Sequence, residues 1–161
     1  TVELAGLLRK HSGMFKVIQK RSHLMEDENG GALYQLLFLT FFRKFNIAYL
    51  DWMNEAPLVQ ETISVSLLIV SRVAEEWVSL EEVAVSLFPP RVREQIIEGA
   101  YSDNTPYMAH SRILRPLLQF GLLEKREQEE SWMETQLRKT ELFDRVLQFN
   151  VNVSSASGYL H

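Results

Sequence analysis

Between Ala32 and Met53 the chain is so rich in large apolar and aromatic residues that few environments can hold it. Leu33, Leu37, Phe41, Ala48 and Trp52 recur at helical steps of four and seven, while Tyr34, Phe38, Phe42, Phe45 and Tyr49 cover much of the remaining surface. A helix apolar around most of its circumference belongs in the middle of a domain. Rings at this spacing read as core rather than as the lining of a ligand pocket. Asn46 marks a break in the helix.

The segments on either side are organised around that column. Gly6 ends a first helical stretch, and Leu7-Leu8, the turn His11-Ser12-Gly13 and the alternating run Met14–Gln19 predict a β-hairpin. Ser22 is placed as a helix N-cap after the hairpin, and Gly30-Gly31 reads as a turn. Pro57 suits the first turn of a helix over 58–77, with Val59, Ile63, Val70, Val73 and Trp77 on one stripe. Ser79-Leu80-Glu81-Glu82 is a capping box for a short helix that stops at Phe88-Pro89-Pro90. Val92, Ile96 and Ile97 predict another helix ending at Gly99. Thr105-Pro106 opens a third that runs to Gly121. Pro116 lies inside this third helix, where it removes a hydrogen bond and should kink it. Leu122–Arg126, the charged turn 127–131 and Trp132–Lys139 read as a second hairpin, after which Thr140 caps a last helix. The expected fold is mostly α with small antiparallel β-hairpins. Its expected divisions are an N-terminal region, residues 1–78, with a hairpin and two long buried helices, a second region, residues 79–150, packed on it, and a flexible tail, residues 151–161.

Two segments share an order of features. Ala5-Gly6-Leu7-Leu8 matches Phe120-Gly121-Leu122-Leu123, and Lys20-Arg21-Ser22-His23-Leu24 matches Arg138-Lys139-Thr140-Glu141-Leu142. Either a duplication or common turn rules acting on unrelated segments explains this.

Three short helices, a hairpin opened by Gly121-Leu122-Leu123 and a closing helix, over about residues 79–149, resemble the winged-helix variant of the helix-turn-helix group. The phrases Phe41-Phe42-Arg43-Lys44-Phe45-Asn46 and Lys139-Thr140-Glu141-Leu142-Phe143-Asp144 are similar to an uncharacterised family of bacterial domains, which carries no activity over to this chain. The winged-helix resemblance implies that the third helix could enter a DNA major groove, offering His110, Arg112 and Arg115, while the hairpin touches the backbone. Glu127, Glu129, Glu130 and Glu134 on that hairpin oppose phosphate binding, and a solvated helix face explains the arginines equally well. A better polyanion candidate is the N-terminal cluster Arg9, Lys10, His11, Lys16, Lys20 and Arg21, although charged hairpins also guard sheet edges. If the N-terminal hairpin is also a wing, its own recognition helix lies upstream of Thr1. A chain that begins at Thr1 is expected to lack an upstream portion.

With no cysteine, thiolate chemistry, thiolate metal sites and disulfides are excluded. The four histidines form no HxxxH pair, and there is no nucleophile elbow or P-loop. No catalytic residue, cofactor or metal site is therefore expected. Apolar stretches such as Leu67–Val70 are too short to span a bilayer, and a cytoplasmic location without a membrane partner is expected. Trp132, near the tip of a charged hairpin, is the candidate protein contact. The expected function is a non-enzymatic winged-helix-like interaction module of a larger bacterial protein. It would engage a protein partner or self-associate, with DNA binding as the alternative.

Overall fold

The computed structural model describes residues 1–51, 57–98, 103–126 and 132–150, the last segment without the side chain of Trp132. Trp52, Met53, Gly99, the turn 127–131 and the tail 151–161, all given roles above, lie outside the described residues.

The N-terminal hairpin forms as the alternation dictates. Strands β1 (Leu8–His11) and β2 (Met14–Val17) pair antiparallel across Ser12 and Gly13, whose φ values of 50° and 80° are the left-handed pair that a tight hairpin turn needs. Ser22 does not act as a cap. It sits inside a 3-10 turn, Gln19–Met25, and its hydroxyl donates to the Gln19 carbonyl at 2.9 Å. Gly30-Gly31 is likewise no loop but the first two residues of helix α1 (Gly30–Lys44). Helix α1 is one-sided rather than interior. It buries Phe38, Phe41 and Phe42, while Leu39 faces water. Asn46 does break the run: its Oδ1 accepts from the Ala48 amide at 3.0 Å and starts a 3-10 turn, Ile47–Leu50. Tyr49 on that turn is exposed.

The predicted helix 58–77 is two pieces, α2 (Leu58–Glu61) and α3 (Ile63–Val73), with Thr62 between them. Val59, Ile63, Leu67 and Val70 are buried, whereas Trp77 falls beyond the end of α3. There the chain makes a short strand that the sequence pattern did not announce, β3 (Val78–Ser79). Helix α4 (Leu80–Leu87) opens on the capping box: the Glu82 amide donates to Ser79 Oγ at 3.2 Å and the Ser79 amide to Glu82 Oε2 at 3.4 Å. Helix α5 (Pro90–Glu98) buries Val92 and Ile96 but leaves Ile97 outside. Helices α6 (Thr105–Ala109) and α7 (Arg115–Gln119) are joined by a π-helical turn, His110–Leu114. Strands β4 (Leu123–Arg126) and β5 (Gln136–Lys139) follow, then α8 (Glu141–Val146). The return strand is shorter than expected, because Trp132–Glu134 is a 3-10 turn. The sheet order is β3-β5-β4, antiparallel throughout, so β5 is central.

One hydrophobic core runs from Phe38 to Phe143 and includes Ile47, Val70, Leu80, Ile113, Leu122 and Leu137. The line expected between residues 78 and 79 falls inside β3, and the core continues across it.

The two similar segments have the same backbone wiring. At the first, Gly6 (φ 67°) donates to the Glu3 carbonyl at 2.9 Å and Leu7 to Val2 at 3.1 Å. At the second, Gly121 (φ 70°) donates to Leu118 at 3.0 Å and Leu122 to Leu117 at 2.9 Å. Both are Schellman closures, which need a left-handed residue and so favour glycine. Beyond each hairpin the chain returns to the same leucine: Ile18 N–H reaches the Leu7 carbonyl at 2.9 Å, and Thr140 N–H the Leu122 carbonyl at 3.0 Å. A side chain also seals each junction, Arg21 donating to the Ala5 carbonyl and Thr140 Oγ1 to that of Gly121. Thr140 therefore precedes α8 but spends its hydroxyl on the junction rather than on a cap.

Candidate functional site

Pro116 accounts for the shape of the helix that was expected to read DNA. Without an N–H it cannot continue an α-helical ladder, and its ring crowds the carbonyl four residues earlier. The π turn widens the helix just upstream, and the Arg115 amide donates to the His110 carbonyl five residues back. The wider turn presents Ser111 and Arg112 together toward the end of the Ile47–Leu50 turn.

Asp51 meets them there. Arg112 Nε donates to Asp51 Oδ2 at 2.7 Å and its Nη2 to Oδ1 at 2.9 Å, a two-pronged pair. Ser111 Oγ donates to the same Oδ2 at 3.0 Å. Arg112 is 1% exposed. Arg115, half-buried, donates from Nη2 to the Leu50 carbonyl at 3.2 Å. Arg112 and Arg115, both candidates for groove contacts, therefore hold the 3-10 turn that comes after α1. Neither the DNA-reading role for Arg112 nor its alternative on a solvated face fits this burial. From Thr105 to Gln119 only Tyr107 and Gln119 are exposed, so the helix offers no continuous face to a groove.

Asp51 was not among the residues singled out from sequence, although the signal was present. A carboxylate isolated in the run Ile47-Ala48-Tyr49-Leu50-Asp51-Trp52-Met53 must find a partner if the run is buried.

His110, at the start of the π turn, is half-buried. Its pKa falls below the ordinary 6.5, chiefly because burial disfavours the charged ring and also because Arg115 and Lys125 repel it. A histidine whose folded-state pKa is depressed binds fewer protons folded than unfolded, so it adds stability above the unfolded value that is lost as pH falls. We expect the urea midpoint to drop between about pH 7 and pH 5, and to drop less in His110→Gln. Equal drops in the two proteins would show that His110 does not carry the effect.

The second hairpin uses its cations internally. Arg138 Nη2 meets Glu124 Oε1 across the strands at 2.7 Å. The guanidinium carbons of Arg126 and Arg138 lie 4.2 Å and 4.7 Å from the centre of the Trp77 ring. Trp77 thus serves as a platform for the second hairpin rather than as part of a helix stripe. Trp132, the candidate protein contact, begins the 3-10 turn ahead of β5, and its side chain lies outside the described residues.

An open groove of about 660 Å³ lies between α1 and α3 and is also lined by residues 147–150. Phe38, Phe42, Ile63 and Leu67 line it, with Arg43 and Glu61 as its charged residues. Among the described residues no group of three or more His, Asp or Glu could hold a metal ion, and no helix is long and apolar enough to cross a membrane. No protein-family model, curated protein or solved structure matches this chain.

Proposed function

We propose that the chain is a non-enzymatic binding module of a larger bacterial protein, with a winged helix in its C-terminal half that engages a protein partner rather than reading a DNA groove. The winged-helix reading is supported by the order α3, β3, α4, α5, α6–α7, β4, β5, in which α5 is an added helix between α4 and α6, and by β5 pairing both β3 and β4. The observation that carries the protein-directed reading is the burial of the middle of the α6–α7 helix. Its Arg112 is committed to Asp51, and the hairpin arginines are committed to Glu124 and Trp77. The charge balance agrees: residues 81–145 hold twelve acidic and nine basic side chains. A surface with net negative charge gains little from counterion release on DNA.

The test separates the two uses of the fold. Arg115→Ala should leave any affinity for mixed-sequence duplex DNA unchanged within about twofold, because the side chain already serves the Leu50 carbonyl. A tenfold loss, measured by fluorescence anisotropy at low salt, would restore the groove-reading role. On the protein side, Trp132→Ala should abolish concentration-dependent association seen by sedimentation velocity while leaving the circular dichroism spectrum unchanged. Unaltered association would remove Trp132 from the interface.

A further inference from the structure

The two hairpins share a junction but dispose of their charge differently. In the second, arginines are neutralised by Glu124 or stacked on Trp77. In the first, the register places Arg9 directly opposite Lys16, so two cations share one face with their side chains starting about 5 Å apart. His11 follows on the same face, Lys10 occupies the other, and Lys20 lies just beyond β2. Arg9, Lys10, Lys16 and Lys20 are exposed, and among the described residues none of them forms an ion pair. Over residues 1–25 there are five basic side chains and one acidic, Glu3. The acidic residues Glu26, Asp27 and Glu28 come only after this unit, in the next 3-10 turn. Arg21 alone is occupied, sealing the Ala5 carbonyl.

Like charges opposed across a strand pair cost stability unless an anion is shared between them. Charge on an edge strand protects it from aggregation, but that role does not call for two cations set directly opposite each other with no carboxylate between them. We propose that the β1–β2 hairpin is a nucleic-acid backbone clamp, with Arg9 and Lys16 gripping phosphates from one face and Lys10 and Lys20 adding to the field. Duplex DNA, with one charge per about 1.7 Å of axis, can satisfy several such cations at once. The apolar side chains favour this partner over a lipid surface. Met14 and Phe15 are 62% and 61% exposed, but the register puts Met14 on the Arg9–Lys16 face and Phe15 with Val17 on the other. The tip itself is Ser12-Gly13, so the hairpin leads with polar backbone and offers no apolar wedge. This site is separate from the C-terminal surface considered above, and either can hold without the other.

The experiment is anisotropy of the full chain with a labelled mixed-sequence duplex of about 20 base pairs at about 50 mM salt, repeated as salt rises. The wild-type affinity should fall with salt at a log–log slope of about −0.9 per phosphate engaged. Lys16→Glu and Arg9→Glu should each weaken binding about tenfold or more and flatten the slope by one or more units. Each also turns a like-charge pair into an opposite-charge pair, so the hairpin should be no less stable and the thermal midpoint should hold. Arg91→Glu, on the exposed start of α5, makes the same change in net charge and should bind as wild type. Three results would overturn the clamp: no wild-type binding at low salt, equal loss in Arg91→Glu, or capture by phosphatidylserine vesicles without capture by the duplex.

Discussion

Asp51→Ala should destabilise the protein by about 3–5 kcal/mol, because it leaves the buried Arg112 guanidinium without its counter-charge. Both partners are buried, the Asp51 side chain at 0% and that of Arg112 at 1%. Their mutual attraction repays the cost of taking two charges out of water only while both are present. Against a typical domain stability of about 5–15 kcal/mol, this loss is a large share, and it corresponds to a fall of roughly 6–20 °C in thermal midpoint. The converse is as informative. Removing both charges, as Asp51→Leu with Arg112→Met, should recover most of the loss, since apolar side chains of similar volume fill a buried ion-pair site well. Ser111 would then turn to the Met108 carbonyl, already 3.4 Å away. Thermal melts of the single and double variants check both statements. A cost below about 1 kcal/mol for Asp51→Ala would mean that the pair is solvated, and the helix face would again be free for DNA.

This pair also shows where sequence reading succeeds and where it stops. Local rules were legible. The Ser79–Glu82 capping box, the Asn46 break, the Gly6 and Gly121 closures and the first hairpin depend on residues within a few positions of each other, and the second hairpin on residues no more than 16 apart; all were visible in the chain. What could not be read was the partner across the fold. Arg112 and Asp51 are 61 residues apart, and nothing local distinguishes an arginine aimed at solvent from one aimed at a carboxylate. Pro116 marked a disturbance, but its resolution as a π turn depends on what the widened turn then touches. Strand β3 has only two residues, too short for alternation to register, and exists because β5 offers it a free edge. The aromatic rings were correctly read as core, yet the helix that carries them, expected to be buried around most of its circumference, buries one side only. The side chains of α1 that pack are set by Phe120 arriving from α7, not by the periodicity of α1 alone.

That arrival makes Phe42→Ala the second large effect, at about 3–5 kcal/mol. Phe42 is buried, and its ring centroid lies 4.7 Å from Phe38, 5.0 Å from Phe41 and 6.1 Å from Phe120. Truncation removes apolar burial and leaves a void that rigid neighbouring rings close poorly. Loss of the tilted and edge-on ring pairs adds about 0.5–1.5 kcal/mol per pair within that total. The consequence should not stay within the N-terminal half. Phe120 also anchors Tyr34, whose hydroxyl donates to the Phe120 carbonyl at 2.7 Å, and Phe120 leads directly into the Gly121 closure and β4. A core continuous from Phe38 to Phe143 should melt as one unit, so Phe42→Ala should lower the midpoints of far-ultraviolet circular dichroism and of tryptophan fluorescence together. In a Trp52→Phe, Trp132→Phe background, Trp77, held under Arg126 and Arg138 on the far sheet, is the one remaining tryptophan and reports the C-terminal side of that core. If the fluorescence transition stayed in place while the helical signal moved, the aromatic column and the sheet would be two units, and α1 a separable attachment rather than an integral element of the core.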